Sequence, residues 1–417
     1  MNAEILSIGD ELLIGQVINS NQAFIAERLN TVGIYGDKMT TVGDQKEEIL
    51  SAFGRAYESH DVVTVTGGLG PTHDDITRAV VCTFFQTDLI INDEALENVK
   101  RIFARRNTDP RKINEEQALV PRGCTVIQNR LGTAPGYFFE RDRKVFIVMP
   151  GVPYEMKAMM NDFVIPYFEK RDTGLIIRHR TLKTTGIAES FLAEQIGDVR
   201  ELFSPDSGMS MAYLPSSFGV RLRITAKVKS IEDAENKIRS VELKLRNKIE
   251  KYIYAADEAE LEDTVGKLLT ERRLTLSVAE SCTGGLITDR ITNVSGSSTY
   301  FERGIVTYSN NSKIEELGVS PGLISQHGAV SREVAEAMAA GIRVQSRTDI
   351  GLSTTGIAGP TGGSPEKPVG LVWIGYSDQD NTFAIQFHFG GERRIIKERA
   401  AQAALELVRR TLLKSTE

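Results

Sequence analysis

The chain has 417 residues, 41% of them hydrophobic and 25% charged, with a formal net charge of -6. That length calls for two or three domains, and the composition is that of a soluble globular protein. The acidic balance counts against nucleic acid as a partner and against a membrane-surface role, because phosphate-rich partners need clustered positive charge. Cys82, Cys124 and Cys282 lie far apart and lack zinc-ligand spacing, so a reducing, cytoplasmic setting is expected. The first ten residues read as a strand with an early acid rather than a charged leader, and no long apolar run offers a membrane span.

Residues 3–8 read as a strand, and residues 20–32 as a helix with Ala23, Phe24, Ala26 and Leu29 at helical spacing. Residues 61–66 (DVVTVT) form a buried strand ending in a glycine loop, and residues 144–149 (KVFIVM) form another. Strands alternating with helices predict βαβ units and a mostly parallel, three-layer sheet for this first domain.

From 176 to 256 the texture changes. A strand (176–185), a helix (187–199) and two strands (208–213 and 220–228) precede a helix opened by Ser230 as N-cap, with Asp233 three residues on. This β-α-β-β-α pattern predicts a small α+β module. It carries Arg178, His179, Arg180 and Lys183 but no glycine-rich phosphate loop, which points to binding or spacing rather than catalysis. A second α/β domain follows, with a helix at 261–272, strands at 274–278, 351–354 and 369–376, and a closing helix at 392–413.

In that last domain, AESCTGG (279–285) sits between a strand and a helix. Such a turn exposes Ser281 and aims the following backbone N–H groups at whatever binds there, as acyl transfer requires. A serine before a helix is also the usual N-cap. FERGIVTYSNNSK (301–313) contributes a buried-strand tyrosine, a polar turn and a lysine five residues after the tyrosine; QHGAVS (326–331) and TTGIAGPTGG (354–363) add two more loops. Ligands of α/β sheets gather at such strand ends. Neither His327 nor His388 has a carboxylate in its loop, so a serine–histidine–acid triad is poorly supplied. A lysine can act as base when burial lowers its pKa from about 10.4 towards neutrality. Lys313 could equally be a solvated helix-start residue.

In the first domain the strongest local pattern is TGGLGPTHDDIT (66–77). Its glycines permit close approach to a phosphate, and its adjacent acids can hold a bridging divalent cation or merely favour a first helical turn. Gly9-Asp10-Glu11, Val42-Gly43-Asp44, LGTAPG (131–136) and MPGVPYEM (149–156) complete the set.

These segments resemble the CinA (competence/damage-inducible protein A) family over nearly the whole chain. From AESCTGG through GSS, FERGIVTYSN, LGV, QHGAVS and TTGIAGPTGG to KPVG, residues 258–417 resemble its C-terminal domain, the nicotinamide-mononucleotide deamidase. The resemblance implies Ser281 as nucleophile with Tyr308 and Lys313 beside it. Thr283, Gly284, Gly285, Ser309, Asn310, Thr355, Gly356 and Gly359 would bind substrate, and no cofactor is expected there. Residues 1–170 look like the molybdopterin-binding fold, and more closely like the first domain of CinA. The glycine loop reads GGLG where molybdenum-cofactor enzymes usually have GGTG, which counts against molybdopterin as substrate. The family version is associated with metal-dependent hydrolysis of ADP-ribose to AMP and ribose 5-phosphate. Gly67, Gly68 and Gly70 would then face substrate, and Asp10, Glu11, Asp44, Asp74 and Asp75 a divalent metal. Residues 176–256 resemble a KH-type fold. A homodimeric, two-enzyme hydrolase of pyridine-nucleotide salvage is therefore expected. The alternatives are a deamidase with a non-catalytic nucleotide-binding first domain, or a DNA-uptake or recombination partner.

Overall fold

The computed structural model describes residues 1–72, 75–105, 116–171, 173–216 and 218–414. The chain divides into two compact units, residues 1–178 with 225–238, and residues 179–224 with 239–417.

In the first unit, β1 (Asn2–Ile8), β2 (Tyr35–Val42) and β3 (Val62–Thr66) come first, and a short ribbon pairs β4 (Leu89–Ile91) with β5 (Leu119–Pro121). β6 (Thr125–Ile127), β7 (Gly136–Arg141) and β8 (Lys144–Met149) follow. The main sheet has the order β2-β1-β3-β8-β7-β6. β1 pairs in parallel with β2 and β3, and β3 in parallel with β8, whereas β7 and β6 close the sheet antiparallel. Successive side chains on each strand serve opposite layers. Val145, Ile147 and Met149 join Ile25, Leu29 and Phe168 on one face, and Phe146 and Val148 join Phe53, Val80 and Val81 on the other. Both faces are covered, so the parallel strands are apolar along their length. The expected three-layer, mostly parallel architecture is found.

The middle module contains β9 (Ile176–Thr184), β10 (Met209–Ser216), β11 (Gly219–Val228) and β12 (Ile253–Ala256), in the order β10-β11-β9-β12. β12 was not expected; it is a four-residue strand antiparallel to β9 and has too few residues for a period to register. Ser230 accepts from the Asp233 N–H at 3.1 Å, the cap its position implied. Two of the basic residues here are spent on ion pairs. Arg180 meets Glu242 at 3.5 Å and Asp257 at 3.1 Å, and buried Lys183 meets Glu260 at 2.6 Å.

The C-terminal sheet has the order β14-β13-β15-β16-β17, from β13 (Leu276–Glu280), β14 (Phe301–Val306), β15 (Ile350–Gly356), β16 (Leu371–Ser377) and β17 (Thr382–His388). β14, β13 and β15 run parallel, and β16 and β17 return antiparallel. Leu276 and Val278 pack with Leu261, Val265 and the closing helix Arg393–Lys414, while Ala279 faces Val334 and Met338 of the helix Arg332–Ser346. β17 also escaped the sequence reading, because an edge strand of mixed exposure (TFAIQFH) lacks a continuous apolar run.

Candidate functional site

β13 extends two residues beyond the expected 274–278 limit, so Ser281 follows directly on the strand. Its N–H donates to the Thr354 carbonyl at 2.9 Å, which continues the pairing with β15. Ser281 is not the cap of the helix Leu286–Thr292; Gly285, at φ 93°, occupies that position. The capping is done by Glu280. On a strand whose residues 276 and 278 point into the core, residue 280 points the same way and lies fully buried. Its carboxylate accepts from the N–H groups of Gly285 at 2.9 Å, Ile287 at 3.2 Å and Thr288 at 2.8 Å, and from the Thr288 hydroxyl at 2.8 Å. An acid satisfying the open amides of a helix start is held firmly there. Two consequences follow. Glu280 is not free to serve as a base, and the amides left for a ligand are those of Cys282, Thr283 and Gly284 rather than those at the helix start.

Lys313 lies on the first turn of the helix Asn310–Leu317 and is 1% exposed. The solvated helix-start alternative is therefore excluded. Its Nζ lies 3.1 Å from Ser281 Oγ and 2.7 Å from the Thr307 carbonyl, with the Tyr308 and Ser309 carbonyls at 3.4 and 3.5 Å. No carboxylate pairs with it among the described residues. Burial lowers its pKa from 10.5 to about 8. A neutral amine has two hydrogens and one lone pair. With the hydrogens on flanking carbonyls, the lone pair is left for the Ser281 hydroxyl.

Tyr308 differs from expectation. β14 ends at Val306, and because β14 is the edge strand, the phenol beyond it is 62% exposed rather than buried. Its hydroxyl accepts from Arg393 at 2.9 Å, and the same guanidinium donates to the Gly359 carbonyl at 2.7 Å. Arg393 thus ties the two rims of a pocket of about 180 Å³ whose wall includes Ser281, Asn310, Lys313, Val330 and Thr355. An open cleft of about 870 Å³ shares Ala358 and Arg393 with it and continues past Arg394 and Lys397. A Cβ on Gly284 would come within 3.2 Å of Lys397 Nζ, so this ammonium, without an ion-pair partner among the described residues, overhangs the Ser281 turn. Nothing in the pattern of residues 392–397 had singled these cations out; they read as the start of a helix.

Of the remaining expected residues, Asn310, Thr355 and Gly356 line the pocket, and Gly359 borders the cleft. Thr283 turns inward, fully buried, with its hydroxyl 2.8 Å from that of Thr354, so only its backbone can face a ligand. Thr355 likewise donates to the Ala329 carbonyl at 2.7 Å. Ser309 is the N-cap of the Lys313 helix, accepting from the Ser312 N–H at 3.0 Å. His327 has a carboxylate partner after all, Glu333 at 3.6 Å, but it is not in the wall of the Ser281 pocket.

In the first unit, the carboxyl ends of β1, β3 and β8 and the turn after β2 open onto a cleft of about 480 Å³. Gly67, Gly68 and Gly70 form one wall. Gly67, at φ 111°, could carry no side chain, since a Cβ would stand 2.1 Å from the Ile8 carbonyl. Asp10 and Asp44 are locked together: each side chain accepts the other's N–H, at 3.0 and 3.2 Å. Asp75 accepts from the N–H of Thr72 at 2.9 Å and from its hydroxyl. Glu11, Asp44 and Asp75 line the cleft, as does Glu155, a buried acid not singled out before, which accepts from Asn129 at 2.6 Å. Asp74 lies outside the described residues. Among those described, no three His, Cys, Asp or Glu side chains converge as a ready-made metal site. Asn19 Nδ2 and Asn21 Oδ1 are buried without a hydrogen-bond partner among the described residues, on residues that line the cleft.

Fold and sites thus define a three-part α/β protein with a buried serine–lysine pair on one domain and an acid- and amide-lined cleft on another. Residues 4–170 match the probable molybdopterin binding domain, residues 179–255 the damage-inducible protein CinA KH domain, and residues 258–412 the CinA C-terminal domain. The chain is 44% identical, over 99% of its own length and all of the relative's, to a putative competence-damage inducible protein of Caldicellulosiruptor saccharolyticus. It is 46% identical, over 99% of both chains, to a CinA-like protein of Chloroherpeton thalassium. The crystal structure of competence/damage inducible protein CihA from Agrobacterium tumefaciens is 40% identical over 37% of this chain and 93% of that one, with a TM-score of 0.36. The chain belongs to the CinA family. No helix among the described residues is long and apolar enough to cross a membrane.

Proposed function

We propose that the C-terminal domain hydrolyses the carboxamide of nicotinamide mononucleotide to the carboxylate and ammonia. The observation that carries this reading is the position of Lys313 Nζ, buried and without a carboxylate, 3.1 Å from Ser281 Oγ. Neutral Lys313 takes the Ser281 proton as Oγ bonds to the carboxamide carbon. The oxyanion faces the Cys282–Gly284 amides. Lys313 then returns its proton to the departing nitrogen, the C–N bond breaks and an ester to Ser281 remains. Water attacks that ester as Lys313 accepts its proton, and Lys313 returns that proton to Ser281 Oγ as the C–O bond to Oγ breaks, releasing the carboxylic acid, which ionises, and restoring both side chains. Arg393, Arg394 and Lys397 in the adjoining cleft would hold the phosphate of the nucleotide. Ammonia release from nicotinamide mononucleotide by the purified chain tests this directly; no release across pH 6–9 would end it.

For the first domain we infer hydrolysis of ADP-ribose to AMP and ribose 5-phosphate. The glycine wall and the buried, unpartnered amide atoms of Asn19 and Asn21 suit a diphosphate and its sugars. A divalent cation would be held by one or two of the cleft-lining acids Glu11, Asp44 and Asp75, with Asp10 fixing Asp44 in place, and would neutralise charge on the diphosphate when bound. Its remaining ligands would be substrate oxygens and water, as magnesium prefers. That Asp10, Asp44 and Asp75 are already bonded to backbone N–H groups favours a second reading, in which this domain binds nucleotide without turnover. Formation of AMP from ADP-ribose with added magnesium or manganese separates the two.

A further inference from the structure

The C-terminal unit contains another cavity, of about 230 Å³, that shares none of its wall with the Ser281 pocket. The β10–β11 hairpin contributes Phe218 and Arg221, the helix after the nucleophile turn contributes Leu286 and Arg290, and the closing helix contributes Arg394 and Glu398. The charges there are unequally spent. Each carboxylate already faces a cation, Glu262 with Arg290, Glu398 with Arg394 and Glu260 with Lys183, all at 2.6 Å. Arg221, half-buried, has no hydrogen-bond or ion-pair partner among the described residues. Arg290 donates to Glu262 and Gln402, yet its Nη1 is buried with no acceptor among the described residues. Burying a charged donor unsatisfied is costly, and an acceptor delivered by a ligand removes that cost. The Phe218 ring lies 5.6 Å from the Arg290 guanidinium and offers an apolar face at the same wall.

We propose that this cavity binds a small phosphate ester carrying a flat ring, with the phosphate on Arg221 and Arg290 Nη1 and the ring against Phe218. Planar guanidinium groups match phosphate oxygens in pairs, and an aromatic face suits a conjugated ring. The site gives the middle module a purpose, since Phe218 and Arg221 belong to it. Binding is coupled to the Ser281 site through two helices. Leu286 and Arg290 ride on the helix whose first amides Glu280 holds, and Arg394 adjoins Arg393, which fastens Tyr308 and Gly359.

The test uses the full-length chain and phenyl phosphate as probe, with inorganic phosphate as the ringless control, measured by titration calorimetry. Arg221→Glu should weaken phenyl phosphate at least about tenfold, since it replaces an attraction by a repulsion. Phe218→Ala should weaken phenyl phosphate about fivefold while leaving inorganic phosphate unchanged. No binding, or binding of wild-type strength in Arg221→Glu, overturns the assignment; in the second case the probe sits at the Ser281 cleft or in the first domain. Only the kinetic arm rests on the deamidase reading: phenyl phosphate should change kcat for ammonia release in the wild type and not in Arg221→Glu. Purely competitive inhibition that survives Arg221→Glu would overturn the coupling while leaving deamidation intact.

Discussion

The Ser281 pocket and the first-domain cleft sit at equivalent places, the carboxyl ends of parallel strands, yet they are finished differently. At Ser281 the side chains proposed to react already meet: the hydroxyl, the amine and the carbonyls that orient it lie within hydrogen-bond reach, and burial has adjusted the amine. In the cleft the acids are fastened to the backbone instead, with Asp10 and Asp44 capping each other's turns and Asp75 capping its own. One site is assembled by the chain alone. The other is a framework that a cation and a diphosphate would complete. This difference explains why residue types alone located the first more sharply than the second.

The largest test of that contrast is Ser281→Ala. Ammonia release should fall by about 10³-fold or more, while ADP-ribose cleavage stays near wild type. Retention of a tenth of the ammonia release would remove Ser281 from the chemistry. Next in size is the paired change Asp10→Asn and Asp44→Asn, which should lower AMP formation by about 10²-fold or more and leave ammonia release alone. A chelator should reproduce that split; loss of ammonia release on chelation would show that the two sites are not finished differently.

The lysine sharpens the same comparison through pH. The proposed mechanism requires the neutral amine, so ammonia release should rise with pH and level off above about 8, the value to which burial lowers Lys313. Lys313→Arg should be nearly as damaging as Lys313→Ala, because arginine cannot release its proton. A flat profile from pH 6 to 9, or an active Lys313→Arg, would make the side chain a fixed charge. The smallest effect belongs to Tyr308→Phe. Exposed and bonded to Arg393, the phenol should contribute about two- to tenfold, the loss of one charge-assisted hydrogen bond. A loss as severe as that of Lys313→Ala would make Tyr308, rather than Lys313, the base.

Much of this was legible in the sequence where short-range pattern and chemistry coincide. The strand KVFIVM has the bounds its apolar run implied. Ser281 and Lys313 stood out because a nucleophile at a strand-to-helix turn and an unpaired lysine beyond the next strand are unusual company. What stayed hidden depends on partners distant in the chain. Tyr308 reads as buried until the strand order puts β14 at an edge. Glu280 has no visible role until the turn folds back and brings four donors to it. Arg393 and Lys397, more than eighty residues beyond the tyrosine, carry no local sign that their helix begins beside the nucleophile turn.

Burying Lys313 also has a thermodynamic side. An amine whose pKa falls from 10.5 unfolded to about 8 folded makes the native state less stable by about 3 kcal/mol wherever both states carry the proton, that is, below pH 8. Between pH 8 and 10.5 the unfolded chain binds more protons than the native one, so this deficit shrinks as pH rises. Replacing the lysine by methionine, similar in length and uncharged, should therefore yield an inactive domain that melts at a higher temperature, with the gain larger at pH 7 than at pH 10. The residue best placed to activate the serine is, on this reckoning, among the domain's principal thermal weaknesses.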